Sequence, residues 1–219
     1  MKHVMKGASA SEFEAWKALA NPDWTPSYDG NLQNPQKHAL HVSLLTEQGW
    51  VCCYCGRSIA QHDSHIEHFR PQDRYADLAL SYENLHASCI RESEPGTPLH
   101  CGHAKGAGFD ELLQISPLDA QSESRFLYTM DGSIIASDAA DTQAAYMVDL
   151  LRLDIAFLRN RREEEVSRVF DPTFLATITD DELRVLRDFY RLRDEQGRAQ
   201  SFGHVLARFA EQRLMDSVT

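Results

Sequence analysis

The chain has 219 residues, 42% of them hydrophobic, and a formal net charge of -11. This length suits one compact domain, or a small core with a helical extension. No apolar run reaches the length of a membrane span and residues 1–10 lack the apolar centre of a signal peptide, so we expect a cytoplasmic protein without a membrane partner. The net negative charge disfavours a protein that binds nucleic acid without a partner, because such proteins gain affinity from the contacts of Lys and Arg with phosphates.

Two helices are predicted in the first 49 residues. Ser9 and Glu12 have the spacing of a capping box, which predicts a helix over residues 12–19. A second helix is predicted over residues 35–48, with Asn34 as its cap and a proline at its first position. Both carry apolar residues on one face, so we expect them to pack on the core.

The cysteines indicate a metal site. All five cysteines and six of the ten histidines lie in residues 50–106. A Cys-x-x-Cys pair can present two thiolates to one tetrahedral Zn²⁺, and two later cysteines can complete a Cys₄ site. The predicted ligands are Cys52, Cys55, Cys89 and Cys101. Cys53 lies between two of them and is expected to point away from the metal. The alternative is a set of ordinary buried thiols.

Glu67 and His68 fall in a predicted strand over residues 66–69. Because side chains alternate along a strand, the two cannot have the same role. One can hold a hard divalent cation while the other takes a proton from water, and phosphodiester hydrolysis needs both functions. Asn84 is expected to hydrogen-bond to backbone and hold the loop that carries the base. Lys105 could contact a substrate phosphate or be an ordinary solvated lysine.

The remaining elements are predicted from apolar spacing and turn residues. Residues 84–92 are predicted to be helical. The Asp131-Gly132 pair predicts a hairpin with a type I′ turn. Beyond it the pattern predicts four helices, over residues 142–151, 155–169, 180–194 and 202–215. Their arginines lie beside acids, which favours a docking surface for another protein over a nucleic-acid groove.

Four motifs carry a resemblance to a known family: CCYC, HIEHFRP, YENLHASC and CGHAKG. Together they resemble the zinc-containing HNH (ββα-metal) endonucleases, and most closely PtuB, the nuclease subunit of Septu-type anti-phage systems, some of which are attached to retrons. The resemblance implies an α+β, mainly α-helical protein with an embedded ββα-metal nuclease core. We place N-terminal helices in residues 1–49, the zinc-bearing core in residues 50–110, and a hairpin and helical region for partner docking in residues 111–219.

The resemblance also implies roles for individual residues. His68 becomes the general base, Glu67 a ligand of a catalytic Mg²⁺ or Mn²⁺, and Asn84 the central Asn of the motif. The four cysteines become ligands of a structural Zn²⁺. In the family, the residue after the last cysteine is usually a His or Asn that completes the catalytic metal site, but here it is Gly102. His103 is the expected substitute, and the reserves are Asp110 and His65.

The expected function is that of a metal-dependent HNH endonuclease acting on nucleic acid, with DNA favoured. The resemblance implies that it is the effector subunit of an anti-phage complex whose partner is an ABC- or SMC-like ATPase, similar to PtuA. Two alternatives remain open. One is a ribonuclease acting on structured RNA, because no residue in these motifs distinguishes ribose from deoxyribose. The other is a zinc-stabilised adaptor without catalytic activity, which the glycine at position 102 suggests.

Overall fold

The structure is a computed structural model and describes residues 1–90, 92 and 95–216. Of Asp216 it describes the backbone alone. It is a mixed α+β fold in which helices predominate, as predicted. The helices are α1 (Ser11–Lys17), α2 (Gln36–Gln48), α3 (Cys101–Lys105), α4 (Thr142–Leu150), α5 (Ala156–Val169), α6 (Pro172–Leu175), α7 (Asp180–Phe189) and α8 (Gly203–Asp216). The strands are β1 (Ser64–His68), β2 (Leu85–Cys89), β3 (Phe126–Tyr128) and β4 (Ile134–Ala136).

The two N-terminal helices form where expected but start differently. α1 has no side-chain cap, so the predicted capping box is wrong; the Ser11 hydroxyl instead donates to Glu12 at 3.0 Å. α2 begins at Gln36, also without a side-chain cap, and ends at Gly49, whose φ of 69° is left-handed. This φ suits glycine because a Cβ is strained there. The buried residues of α2 include Leu40 and Leu44, which join the core.

β1 and β2 form an antiparallel ribbon in which Glu67 pairs with His86 and His68 with Leu85. The predicted helix over residues 84–92 is therefore wrong where the structure describes it, and Arg91 lies outside the described residues. The reason is burial, because all five residues of β2 are buried and the period-two pattern of a half-exposed strand is absent. The Gln48 side chain pairs with the backbone of Ala87 through bonds of 2.7 and 2.8 Å, as another strand would.

The hairpin of β3 and β4 is confirmed, but its turn type is not. Gly132 has a φ of 73°, whereas Asp131 is absent from the residues with positive φ, so this is not a type I′ turn. The Gly132 amide donates to the Thr129 carbonyl at 2.9 Å, so the four-residue turn begins at Thr129 and ends at Gly132. The Asp131 carboxylate accepts hydrogen bonds from the hydroxyls of Thr129 and Ser133, and these bonds stabilise that geometry.

The C-terminal helices follow the predicted pattern, with one shorter than expected and one that was missed. α7 ends at Phe189 because the chain then turns back, and Arg193 forms a bridge with Ala199. The additional helix, α6, begins at a proline and is capped by the Asp171 carboxylate. None of the helices in the described part of the chain is both long and apolar enough to cross a membrane.

The segments before and after residues 50–110 pack directly against the Cys-x-x-Cys turn. The Lys2 amide donates to the Tyr54 carbonyl at 3.2 Å, and the Phe202 amide donates to the Gly56 carbonyl at 2.8 Å. One apolar cluster contains residues from all three predicted segments. The boundaries at 49/50 and 110/111 stay a prediction, but the parts they separate share a core.

This packing predicts that alanine substitution costs different amounts of stability at two glycines with the same φ of 73°, Gly56 and Gly197. Gly197→Ala should cost about 1 kcal/mol, because a left-handed residue is strained but nothing lies within 4 Å of the added Cβ. Gly56→Ala should cost about 1–3 kcal/mol more, because its Cβ would lie 2.2 Å from Cε1 of His204 on α8. Urea unfolding measures both, and equal midpoints for the two variants would contradict the docking of α8 on this turn.

Candidate functional site

The four predicted zinc ligands converge. The sulfur atoms of Cys52, Cys55, Cys89 and Cys101 all lie within 4.8 Å of one another, and all four residues are buried. They come from the Cys-x-x-Cys turn, the end of β2 and the start of α3. Four sulfurs at about 2.3 Å from a tetrahedral Zn²⁺ are roughly 3.8 Å apart, and the Cys55 and Cys89 sulfurs lie 3.7 Å apart. The donor set and its spacing therefore fit a structural zinc ion.

Two further contacts surround these sulfurs. The Cys89 amide donates to the Cys52 sulfur at 3.4 Å. The buried imidazole of His100 has its Nδ1 3.2 Å from the Cys101 sulfur and 3.4 Å from the Cys89 sulfur. Such N–H groups stabilise thiolates and orient them. Cys53 is buried as well, but it lies outside the cluster and its amide donates to Ala87 in β2.

Glu67 projects from β1 into a buried polar network. Its Oε1 accepts from the Lys105 ammonium at 2.8 Å and from the Tyr54 hydroxyl at 3.2 Å, and its Oε2 lies 3.3 Å from Nε2 of His65. Burial raises the pKa of Glu67, but the contacts with His65 and Lys105 outweigh it, so its pKa lies below the ordinary value. Glu67 is therefore an ionised carboxylate with 6% of its surface exposed.

His68, the next residue, is half-buried and held in one orientation. Its Nε2 lies 3.0 Å from the Ala79 carbonyl oxygen, which can only accept, so Nε2 carries the hydrogen and Nδ1 keeps a free lone pair. The ring of Tyr28 meets the imidazole edge-on, with centroids 4.4 Å apart. Burial lowers the pKa of His68 and the net pKa is below its ordinary value. His68 is thus neutral near pH 7 and can accept a proton.

Asn84 holds the loop that orients His68. Its side-chain amide donates to the carbonyls of Arg70 at 3.0 Å and Leu78 at 3.2 Å, and its Oδ1 accepts from the Arg70 amide at 2.7 Å. Leu78 precedes Ala79, whose carbonyl contacts His68. The structure thus contains the backbone hydrogen bonds expected of Asn84, while its role in catalysis stays a prediction.

Lys105 does not lie where a phosphate contact was expected. Its side chain has 1% exposure, and besides Glu67 its ammonium donates to the His68 carbonyl at 2.8 Å. Both predicted alternatives, a substrate contact and a solvated lysine, require an exposed ammonium group. Lys105 instead ties α3 to the end of β1, and a buried ammonium needs such partners.

The expected substitute, His103, lies beside the reserve ligand His65, whereas the other reserve, Asp110, is exposed. The His103 ring lies 4.7 Å from the His65 ring and meets it edge-on. Asp110 is exposed and accepts from the Leu112 amide at 2.9 Å. Among the described residues, the four cysteines are the only group of three or more metal-ligating side chains within 4.8 Å. Glu67 and His103 therefore do not form a closed metal site in this conformation.

A cleft of about 500 Å³ lies beside β1. Ten residues that line it include one lysine and four histidines, and none of these ten is an acid. They are Tyr28, Asn34, Lys37, His38, His41, Gln61, His62, Ser64, His65 and Ile66. In a chain with a net charge of -11, such a lining favours an anionic ligand.

Several contact residues could not be predicted from the sequence. Tyr28 reaches the site through the fold, from a position with no motif of its own. Tyr54 lies within CCYC, but that motif gives no sign of its contact with Glu67. The Ala79 carbonyl belongs to the backbone, so no side-chain pattern marks it. His100 does have a signal, because it lies directly before the predicted ligand Cys101, whose sulfur it contacts.

No family model matches the chain. Over 140 residues it is 26% identical to a protein of Vibrio cholerae serotype O1 biovar El Tor whose name is "Retron Vc95 putative HNH endonuclease". The similarity covers 61% of this chain and 66% of that protein, so the chain spans just under two thirds of its relative's length. The chain is similar to a retron HNH protein. This supports the HNH resemblance in its general form, with the Septu relation left as a proposal.

The cysteine cluster predicts that serine substitution at two adjacent cysteines has different effects on zinc binding. Cys52→Ser should abolish zinc binding and reduce solubility, because three sulfurs and a hydroxyl hold zinc poorly and the cluster joins three segments. Cys53→Ser is the matched control, since Cys53 is equally buried but lies outside the cluster. Elemental analysis should find one zinc per chain in the control and none in Cys52→Ser. Full zinc content in Cys52→Ser would contradict the Cys₄ site.

Proposed function

We propose that the chain is a metal-dependent HNH endonuclease that hydrolyses nucleic-acid phosphodiester bonds, with DNA as the favoured substrate. The observation that carries this proposal is the pair on β1: an ionised carboxylate, Glu67, next to a neutral imidazole, His68, whose tautomer is fixed. The cysteine cluster and the similarity to a protein named as an HNH endonuclease support it.

His68 acts as the general base. Its Nδ1 accepts the proton of the water that attacks phosphorus, while the Ala79 carbonyl holds the opposite nitrogen. Transfer of this proton makes the imidazole cationic, and the same carbonyl stabilises that cation. Asn84 acts through the loop and does not touch the reacting atoms. It is a positioning residue.

Glu67 and His103 would hold the catalytic divalent ion. A carboxylate oxygen with an imidazole nitrogen is a donor set that suits Mn²⁺, and Mg²⁺ with more water ligands. When bound, such an ion neutralises charge on the scissile phosphate and on the leaving oxygen. Glu67 contributes its Oε2 to this role, because Oε1 is occupied by Lys105 and Tyr54.

A partner should supply much of the affinity for nucleic acid, because the chain is strongly acidic. The arginines of α7 do not offset this charge: Arg184 pairs with Asp181 and Arg187 with Asp188, each at 2.7 Å. Three large apolar side chains on α7 and just after it are exposed, at 67%, 56% and 65%: Val185, Phe189 and Leu192. Exposed apolar groups among paired charges suit a protein interface.

We therefore propose that this face docks an ABC- or SMC-like ATPase similar to PtuA, and that the complex serves anti-phage defence. The retron in the relative's name supports a defence role. A non-catalytic adaptor is the second candidate, favoured by the 2.8 Å contact that already neutralises Glu67 with Lys105 and by the glycine at position 102. Offering DNA and structured RNA to the assembled complex tests the sugar preference.

His68→Ala should lower the rate of cleavage by about 10²- to 10⁴-fold with an unchanged fold, because only the proton acceptor is lost. His3→Ala is the control, since His3 is half-buried, as His68 is, and belongs neither to the polar network nor to the ten residues that line the cleft. The assay uses the zinc-loaded chain with its ATPase partner, Mg²⁺ or Mn²⁺, and labelled nucleic acid. Cleavage by His68→Ala at the wild-type rate would refute the role of His68, and no metal-dependent cleavage by the wild type would favour the adaptor.

A further inference from the structure

A side chain at the glycine that interrupts the HNH pattern would displace two side chains of β1 from their positions in this structure. A Cβ built on Gly102 would lie 2.4 Å from Oε2 of Glu67 and 2.6 Å from Nε2 of His65. Real Cβ atoms essentially never approach other heavy atoms so closely. The first turn of α3 is held there by the Gly102 amide, which donates to the Ser88 hydroxyl at 3.1 Å. The space that a helix ligand would need is therefore occupied by two side chains of β1.

One of those side chains has the geometry of a metal ligand. His65 and Glu67 are two residues apart on β1, so they project from the same face. Nε2 of His65 and Oε2 of Glu67 lie 3.3 Å apart. Adjacent ligands of an octahedral ion with bonds of about 2.1 Å are separated by roughly 3.0 Å. The pair can therefore be bridged by one ion after a small adjustment.

The other nitrogen of His65 is fixed by the backbone. Nδ1 lies 2.5 Å from the Ile90 carbonyl oxygen, which can only accept, so Nδ1 carries a hydrogen. Ile90 has a φ of 69°, which is rare for a β-branched residue and marks a strained backbone. Metal-binding histidines commonly donate their second ring N–H to a carbonyl in this way. The strain at Ile90 is thus associated with a carbonyl that directs Nε2 of His65 toward Glu67.

We propose that His65 Nε2 is a further ligand of the divalent ion, beside Glu67 Oε2 and in addition to His103, and that this strand imidazole supplies a ligand that the helix lacks at Gly102. Lys105 and Tyr54 both donate to Oε1, so Oε2 is the oxygen that remains for the ion. The catalytic role of this ion rests on the proposed nuclease function, but binding of the ion can be measured without any cleavage.

The competing explanation is that His65 is protonated and forms an ion pair with Glu67. Binding of Mn²⁺ distinguishes the two, because an ion pair needs no metal and a bound Mn²⁺ with an imidazole ligand shows a ¹⁴N coupling in pulsed EPR. The experiment titrates the zinc-loaded chain with Mn²⁺ and follows the loss of the free-ion signal. The variants are His65→Ala and Glu67→Gln, with His3→Ala as control because His3 is not among the residues that line the cleft. Zinc content and circular dichroism confirm that each variant is folded.

We expect one Mn²⁺ per wild-type chain, with a ¹⁴N coupling and with zinc retained. His65→Ala should lose a ¹⁴N coupling and bind Mn²⁺ at least about 10-fold more weakly. Glu67→Gln should also bind Mn²⁺ more weakly, while His3→Ala should match the wild type. Wild-type affinity in His65→Ala, or no Mn²⁺ binding by the wild type, would overturn the proposal. Binding that depends on His65 in a complex that cleaves nothing would instead refute the proposed nuclease function and leave this assignment standing.

Gly102→Ala provides a second test that removes no ligand. Its Cβ should push Nε2 of His65 and Oε2 of Glu67 apart and so weaken Mn²⁺ binding with zinc retained. The control is Gly7→Ala, because a Cβ at Gly7 would meet only the Glu47 side chain at 3.8 Å. Unchanged Mn²⁺ affinity in a folded Gly102→Ala variant would show that the ion does not lie between these two side chains.

Discussion

The convergence of four buried sulfurs is the constraint on which the rest of the site depends. Two sulfurs come from the turn after α2, one from the end of β2 and one from the start of α3. Buried thiolates so close together repel one another unless a cation compensates them, so a zinc ion would stabilise the fold directly. Fixing Cys101 places Gly102 over β1, and fixing Cys89 sets the register that brings Glu67 opposite His86. The cluster therefore positions the polar network without taking part in it.

Glu67 shows how this network is balanced. A buried carboxylate is costly, and three donors or potential donors surround it: Lys105, Tyr54 and His65. Loss of one partner of a buried ion pair costs about 3–5 kcal/mol, so Lys105 is a structural requirement of the carboxylate. It also makes the two oxygens of Glu67 unequal, because Oε1 has two donors and Oε2 faces one imidazole. That asymmetry decides where an ion can bind.

The sequence was sufficient for features that depend on local spacing. The Cys-x-x-Cys pair and the end of α2 at residue 48 follow from short-range geometry and were predicted. β2 was not, because a strand buried on both faces loses the alternation that identifies strands, and its pairing with Gln48 comes from a distant helix. Lys105 was placed at the surface because lysines usually lie there, and its burial depends on a carboxylate 38 positions earlier. Contacts with the carbonyls of Ala79 and Ile90 depend on backbone direction, which residue types do not encode.

Under the proposed function, the alternation along β1 restricts where a phosphate can lie. Glu67 and His68 project to opposite faces, so one phosphate can contact both only past an edge or an end of the strand. Within the described residues, β1 pairs with β2 alone, and its other edge is therefore unpaired. The cleft of about 500 Å³ is lined by Ser64, His65 and Ile66, successive residues that belong to both faces, so it follows that edge. The lining also includes Tyr28, whose ring meets His68, while His65 lies beside Glu67, so under the proposed function a phosphate in this cleft would approach the carboxylate and the imidazole through these two neighbours.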